Sequence, residues 1–309
     1  MRIVSLLPSA TEIVCALGLS RQLVGVTHEC DYPAEARSKP VMTRPTLDLV
    51  GASNATIDRR VRAAVESGAP LYEIDEAALR RAKPDLILTQ ELCHVCAPSY
   101  ATVQELARAI SPDITVLSLE PKSIEGIFNS ITAVGAMTET ERRAISLLGR
   151  LRGRLGRIEQ KVDKARAAGH RPLRVVGLEW LDPPMAVGHW VPEQVRRAGG
   201  WDLLGRDGEP AVRTTWKDIR DVEPDMLLLM PCGFDLAGTI REFGRMRKPK
   251  AWADIVAVQR QNVIALDGSA YFSRPGPRVI DGIALLAEIF DPSRFVDVSP
   301  PMSWEPIPV

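Results

Sequence analysis

The chain has 309 residues, enough to bury a substantial core in one large or two medium domains. Its 39 Lys and Arg balance 39 Asp and Glu, so no overall field draws it towards nucleic acid or an anionic membrane. Five cysteines in a chain this long do not read as a disulfide framework, and no stretch reaches the roughly 18 apolar residues of a membrane span.

In chain order, residues 2–7 read as a buried strand, and Pro8-Ser9-Ala10-Thr11-Glu12 opens a helix that runs to Leu17 and stops at Gly18. Ser9 is the candidate N-cap there, with Glu12 at the reciprocal position. A strand over 23–27 leads directly into His28-Glu29-Cys30-Asp31-Tyr32-Pro33. A polar excursion over 44–70 carries a short helix near 57–65. Residues 71–74 are extended, 76–82 helical and 85–89 a buried strand, followed by a turn over 90–99 that holds Cys93-His94-Val95-Cys96. Helix 100–110, strand 115–117 and helix 123–137 complete the first half.

A long helix is predicted over 138–169. Thr138 and Glu141 have capping-box spacing, and Ile145, Leu148, Leu151, Leu155, Ile158, Val162 and Ala165 recur every three or four residues. Gly169 and Pro172 supply the stop. Its excess of Arg and Lys reads as a solvated face. Beyond it the rhythm repeats: strand 173–178, a loop through Glu179, Trp180, Asp182, Pro183 and Pro184, helix 192–198, helix 216–222, strand 226–230, helix 240–246, strand 263–266 and helix 277–290. The tail from Asp291 is expected to lie over the surface. Lys83-Pro84-Asp85 and Glu223-Pro224-Asp225 each enter an apolar strand, an internal echo that suggests two equivalent lobes. Alternating strands and helices indicate an α/β fold: lobes 1–137 and 170–309 with parallel sheets, joined by the helix 138–169. Ligands of such sheets sit beyond the carboxyl ends of the strands, which places the expected site in a cleft between the lobes.

The loops at those strand ends hold most of the chemistry. His28, Cys30, Cys93, His94 and Cys96 are candidate ligands for zinc or another soft metal, for which four N and S donors suffice. The same thiols could instead be packed at a strand end or serve redox exchange. Pro8, Ser9, Tyr32, Trp180, His189, Trp190, Tyr271 and Phe272 are candidate ligand contacts; aromatic residues outside periodic apolar runs suggest a flat or greasy small-molecule ligand. Arg274 and Arg278 flank Pro275-Gly276-Pro277, where one could hold a carboxylate or phosphate or form an ion pair between lobes. No phosphate-binding Gly-rich motif, nucleophile elbow or His-Glu-x-x-His occurs. A thiolate- or metal-dependent enzyme using Cys30, Cys93 and Cys96 is the alternative to a binding protein. The start of the chain superficially resembles a leader, but Pro8, Glu12 and the lack of a small-residue exit argue against one. The expected location is cytoplasmic, or periplasmic or at the cell surface if the N-terminus is incomplete.

At these loops the sequence resembles the cobalamin-binding members of the helical-backbone solute-binding proteins, receptors of ABC importers for cobalamin, haem and ferric siderophores. The stretches that carry the resemblance are residues 2–12, Asp31-Tyr32-Pro33, Lys83-Pro84-Asp85-Leu86, Pro183-Pro184, Ala198-Gly199-Gly200 and residues 271–278. They run in order over nearly the whole chain. The resemblance implies two α/β lobes on one long helix, no catalysis, a corrinoid or metal-chelate ligand, and an ABC permease as partner. It implies that Tyr32 and Tyr271 stand against the corrin, Tyr271 where tryptophan is more usual. Glu76 lies near one expected acidic docking position; Ser273 occupies the other. The Cys93/Cys96 pair and His28-Glu29-Cys30 do not belong to the usual receptor, and the chain looks more like the signal-less branch.

Overall fold

Short apolar runs alternating with helices fold, in a computed structural model, into two units, each built on a largely parallel sheet. Residues 1–91 and 100–309 are described. The first unit comprises Met1–Ala52, Arg59–Pro121 and Glu125–Gly149, and the second Ser53–Asp58, Lys122–Ile124 and Arg150–Val309. Two short stretches from the first half of the chain thus belong with the second half.

The first unit opens with β1 (Ile3–Ser5), α1 (Pro8–Ala16), β2 (Leu23–Gly25) and β3 (Thr43–Pro45). It continues with α2 (Asn54–Glu66), whose start lies in the second unit, then β4 (Tyr72–Ile74), α3 (Glu76–Ala82) and β5 (Leu86–Thr89). After these come α4 (Tyr100–Ile110), β6 (Thr115–Ser118) and α5 (Ile124–Met137). Its parallel sheet has the order β2-β1-β5-β6, and β3 and β4 form a separate antiparallel ribbon. Every residue of β1 and β5 is buried, as a parallel strand covered on both faces requires. Val4, Leu6, Leu79, Ile87 and Val103 form its core, each side chain contributing about 1.5–3 kcal/mol on burial.

From there α6 (Glu141–Ala167) carries the chain into β7 (Leu173–Leu181), β8 (Pro184–Ala186), α7 (Val191–Arg197), β9 (Gly200–Asp202) and β10 (Val212–Arg213). Next come α8 (Trp216–Asp221), β11 (Met226–Leu229), α9 (Leu236–Arg245), α10 (Val256–Gln259) and β12 (Val263–Leu266). The last elements are α11 (Gly268–Tyr271), α12 (Val279–Phe290) and β13 (Trp304–Pro306). The sheet order is β10-β8-β7-β11-β12-β13, with β9 also paired to β7. Strands β9, β7, β11 and β12 are parallel; β8 and β13 run antiparallel to them, and β10 pairs antiparallel with β8 at one margin.

The Pro-Asp echo is one joint built twice. Lys83 and Glu223 both take left-handed backbone angles (φ 45° and 48°) and turn the chain out of a helix. Asp85 then clamps Arg2 at the start of β1, its N–H donating to Arg2 O (2.8 Å) and its carboxylate accepting from Arg2 N (2.6 Å). Asp225 clamps Arg174 in β7 in the same way, at 2.7 and 3.3 Å. The clamp fixes which residues of the neighbouring strands pair, Ile3 with Leu86 and Val175 with Met226.

Four local expectations are corrected. Pro8 takes the first helical position of α1 and Leu7 the cap, so Ser9 lies buried inside the first turn and caps nothing; proline suits that position because it has no N–H to satisfy. Thr138 does not start the long helix: its hydroxyl donates back to Val134 O (2.7 Å) and finishes α5. The apolar stripe of α6 is buried at Leu148, Leu155, Ile158 and Val162, but Ile145 is 70% exposed. The tail does not merely lie over the surface; β13 pairs with β12, Trp304 opposite Leu266.

Candidate functional site

In the first unit, the carboxyl end of β1 delivers half-buried Pro8 and buried Ser9. Beyond β2, His28 shares a 2.9 Å hydrogen bond between Nδ1 and Thr43 Oγ1, and its ring lies 5.5 Å from that of Tyr72. Its Nε2 is 3.5 Å from Glu29 Oε1. Cys30 is buried, with Sγ 3.1 Å from Thr11 Oγ1. Tyr32, by contrast, is 48% exposed. Cys93, His94 and Cys96 lie outside the described residues. Of the five proposed metal ligands only His28 and Cys30 fall among the described residues; each is engaged by a threonine, and among the described residues no three His, Cys, Asp or Glu side chains gather as a metal site would need.

In the second unit, β7 runs on through Trp180, expected in a loop, because β8 folds back and pairs Met185 with it. Trp180 presents its ring edge to Phe234 at 5.9 Å, and its indole N–H is buried with no acceptor among the described residues. Glu179 accepts from Gly188 N (3.3 Å), and its carbonyl accepts from Cys232 N (3.0 Å), tying the ends of β7 and β11 together. The Gly188-His189 turn is pinned on residues 208–209: His189 N donates to Glu209 O and accepts, through its carbonyl, from Gly208 N. Hence the positive φ of His189 (52°), and a side chain on Gly188 would sit 2.3 Å from Ala211 N. Burial, helped by Lys122, holds the His189 imidazole below its ordinary pKa. Trp190 is only 6% exposed.

The turn after β12 is the most closely built part of this edge. Asp267 caps α11 by accepting from Ala270 N (2.8 Å), and burial raises its carboxyl pKa. Phe272 and Arg274 are buried beneath the turn. Tyr271 stays half-open, with the Arg278 guanidinium 5.7 Å from its ring centre. Two residues not singled out from sequence hold this turn. Gln194, fully buried on α7, donates Nε2 to Tyr271 O (3.1 Å) and to Val279 O (3.0 Å). Gly268 packs directly on the end of β11, where a Cβ would lie 2.5 Å from Pro231 O and 2.7 Å from Met230 O. Because both obstacles are backbone, Gly268→Ala is expected to cost about 2 kcal/mol of stability, read as a lower denaturant midpoint. A midpoint equal to that of the parent chain would mean that the turn yields freely.

Two parallel-sheet units, with their conspicuous side chains in turns at the carboxyl ends of the strands, define an α/β binding-protein architecture. The chain belongs to the Periplasmic binding protein family, whose model matches residues 3–270. It is 24% identical over 295 residues to an uncharacterised ABC transporter substrate-binding lipoprotein of Bacillus subtilis, covering 95% of this chain and 81% of that one. It is 25% identical over 286 residues to a vitamin B12-binding protein of Vibrio cholerae, covering 91% and 86%. Among solved structures, a periplasmic heme-binding protein of Pseudomonas aeruginosa shares the fold with a TM-score of 0.69 and 19% identity, over 95% of this chain and 93% of that one. These relatives overturn the expected cytoplasmic location: proteins described as a lipoprotein and as periplasmic point outside the cytoplasm. In the described residues, no helix is long and apolar enough to cross a membrane.

Proposed function

We propose that the chain captures a corrinoid or comparable flat metal chelate and presents it to an ABC importer without transforming it. The observation that carries this is the braced turn after β12, where half-open Tyr271 is held by Gln194 and stacked near Arg278. An aromatic face held rigidly loses little entropy on meeting a planar ligand, and the guanidinium offers donors to polar groups at the ligand's edge. Tyr32, in the first unit, is exposed and offers an aromatic face of its own. The relatives described as binding vitamin B12 and heme support the same ligand class.

The test is a fluorescence titration of the purified chain with cobalamin, haemin and a ferric hydroxamate. Cobalamin is expected to quench with a Kd of about 1 μM or below, and Tyr271→Ala to weaken it by roughly tenfold or more. Gln194→Leu is expected to weaken binding about fivefold by freeing the Tyr271 carbonyl, one hydrogen bond's worth. If none of the three compounds changes the emission, the corrinoid and chelate reading is lost.

A further inference from the structure

The balanced overall charge conceals a strongly asymmetric segment. Between Arg150 and Arg171 the chain carries eight Arg and Lys against two acidic residues, Glu159 and Asp163, although the totals for the whole chain are equal at 39. All of these residues lie in the second unit. Part of the excess is spent internally: Arg154 pairs with Asp281, and Glu159 is taken by Arg197. Arg166 likewise pairs with Asp163. Arg150, Arg157, Lys161 and Lys164 are exposed and fall at intervals of seven, four and three, which places them along one side of α6. Arg157, Lys164 and Arg171 form no ion pair among the described residues.

The surroundings of this ridge suit a flat anionic surface. Gly149 and Gly156 have nothing within 4 Å of a built Cβ, and near Gly153 lies only Arg157, so the helix between the cations is bare. Beside the ridge, Lys161 holds Arg294 O (3.0 Å) and Arg154 holds Val298 O (3.4 Å). Between those two carbonyls Val296 is 66% exposed, an apolar side chain set among cations. Near the C-terminal end of α6, at the amino end of β7 and away from the turns described above, lies a cleft of about 110 Å³. Its floor is apolar, including Val162, Leu173 and Phe290, and Arg166, His170 and Arg171 stand on its rim.

We propose that this face docks on an anionic phospholipid surface, with α6 lying along the head groups and a head-group phosphate entering the cleft. From Arg150 to the end of α6 the ridge spans about 27 Å, so it meets several head groups at once. Lipid phosphates are laterally mobile and can gather under a line of cations, whereas a folded partner would need matching carboxylates at these intervals. Attraction of this kind grows with each basic residue near the surface and fades within a Debye length. The proposal does not depend on which ligand the strand-end turns hold.

Vesicle co-sedimentation of the whole chain tests it, using phosphatidylcholine vesicles with and without phosphatidylglycerol. The chain is expected to bind only the anionic vesicles and to be released by added salt. The variant Arg157→Glu, Lys164→Glu, Arg171→Glu, checked for an unchanged melting curve, should partition more than about a hundredfold less. A reversal at exposed Lys217, which lies outside the ridge, should bind as the parent does. Equal binding to neutral vesicles, or an unaltered triple variant, overturns the proposal. So does stabilisation by free inorganic phosphate with no vesicle binding, which would make the cleft a site for a soluble anion. Retention by polyglutamate as strong as by anionic vesicles would point to an acidic protein instead.

Discussion

Glu193→Ala is expected to remove about 4 kcal/mol of stability, equivalent to a fall in melting temperature of roughly 10 °C for a unit of this size. The side chain of Glu193 is 11% exposed and has two duties. One oxygen accepts from Ile124 N at 2.8 Å, satisfying the first amide of α5, a group with no partner inside its own helix. The other accepts from Arg197 at 2.8 Å, and Arg197 in turn pairs with Glu159. Burial pulls the Arg197 guanidinium down, yet the two carboxylates hold its pKa above the ordinary value. Alanine would strand the buried amide and leave Arg197 with one partner, and stranded buried groups are costlier than the pair itself is worth. Glu193→Gln keeps an acceptor for Ile124 and should recover about half of the loss. Glu242 repeats the device at α2, 4% exposed, accepting from Asn54 N at 2.8 Å and pairing with Arg245 at 3.0 Å. A Glu193→Ala chain that melts with the parent would show that water reaches these groups and that the cap is dispensable.

These caps also show why part of the molecule could not be read in advance. The elements that matched residue for residue were α3, α4 and β12, each bounded by proline, glycine or aspartate and each carrying its own apolar period. What failed was decided by distant partners. β13 is a strand because β12 offers it an edge, and β7 continues past Leu178 because β8 returns to meet it. Glu193 and Glu242 look like ordinary solvated helix charges until residues 69 and 188 positions away are laid against them. The strand-end turns could be picked out as chemically rich from composition alone. Their openness could not: Phe272 and Trp190 are buried, while Tyr32 and Tyr271 keep a face towards solvent. Gln194 left no signal, being one glutamine in the first turns of a helix, and its role appears only when the Tyr271 carbonyl is found beside it.

The stability of the chain is expected to fall by about 3 kcal/mol between pH 3 and pH 8 through Asp202 alone, at 1.36 kcal/mol per unit of pKa. Burial raises this carboxyl from 3.8 to about 6, and three backbone amides oppose the rise without cancelling it: Gly177 N at 2.8 Å, Leu204 N at 3.0 Å and Gly205 N at 2.5 Å. The folded chain therefore keeps a proton on Asp202 at pH values where the unfolded chain has lost it. Stability from this group is fully present below the unfolded value of 3.8 and is lost as pH rises through about 6. Other carboxylates titrate in the same range, so the comparison that isolates the effect is with Asp202→Asn, whose amide cannot ionise. The unfolding free energy of the parent minus that of the variant, measured in denaturant at each pH, should shrink by the same 3 kcal/mol across the interval. Carbon-detected NMR of the Asp202 carboxyl should show its midpoint near 6. A difference between the two chains that is flat with pH, or a carboxyl that titrates as an exposed aspartate does, would mean that the three amides stabilise the charge well enough to offset its burial.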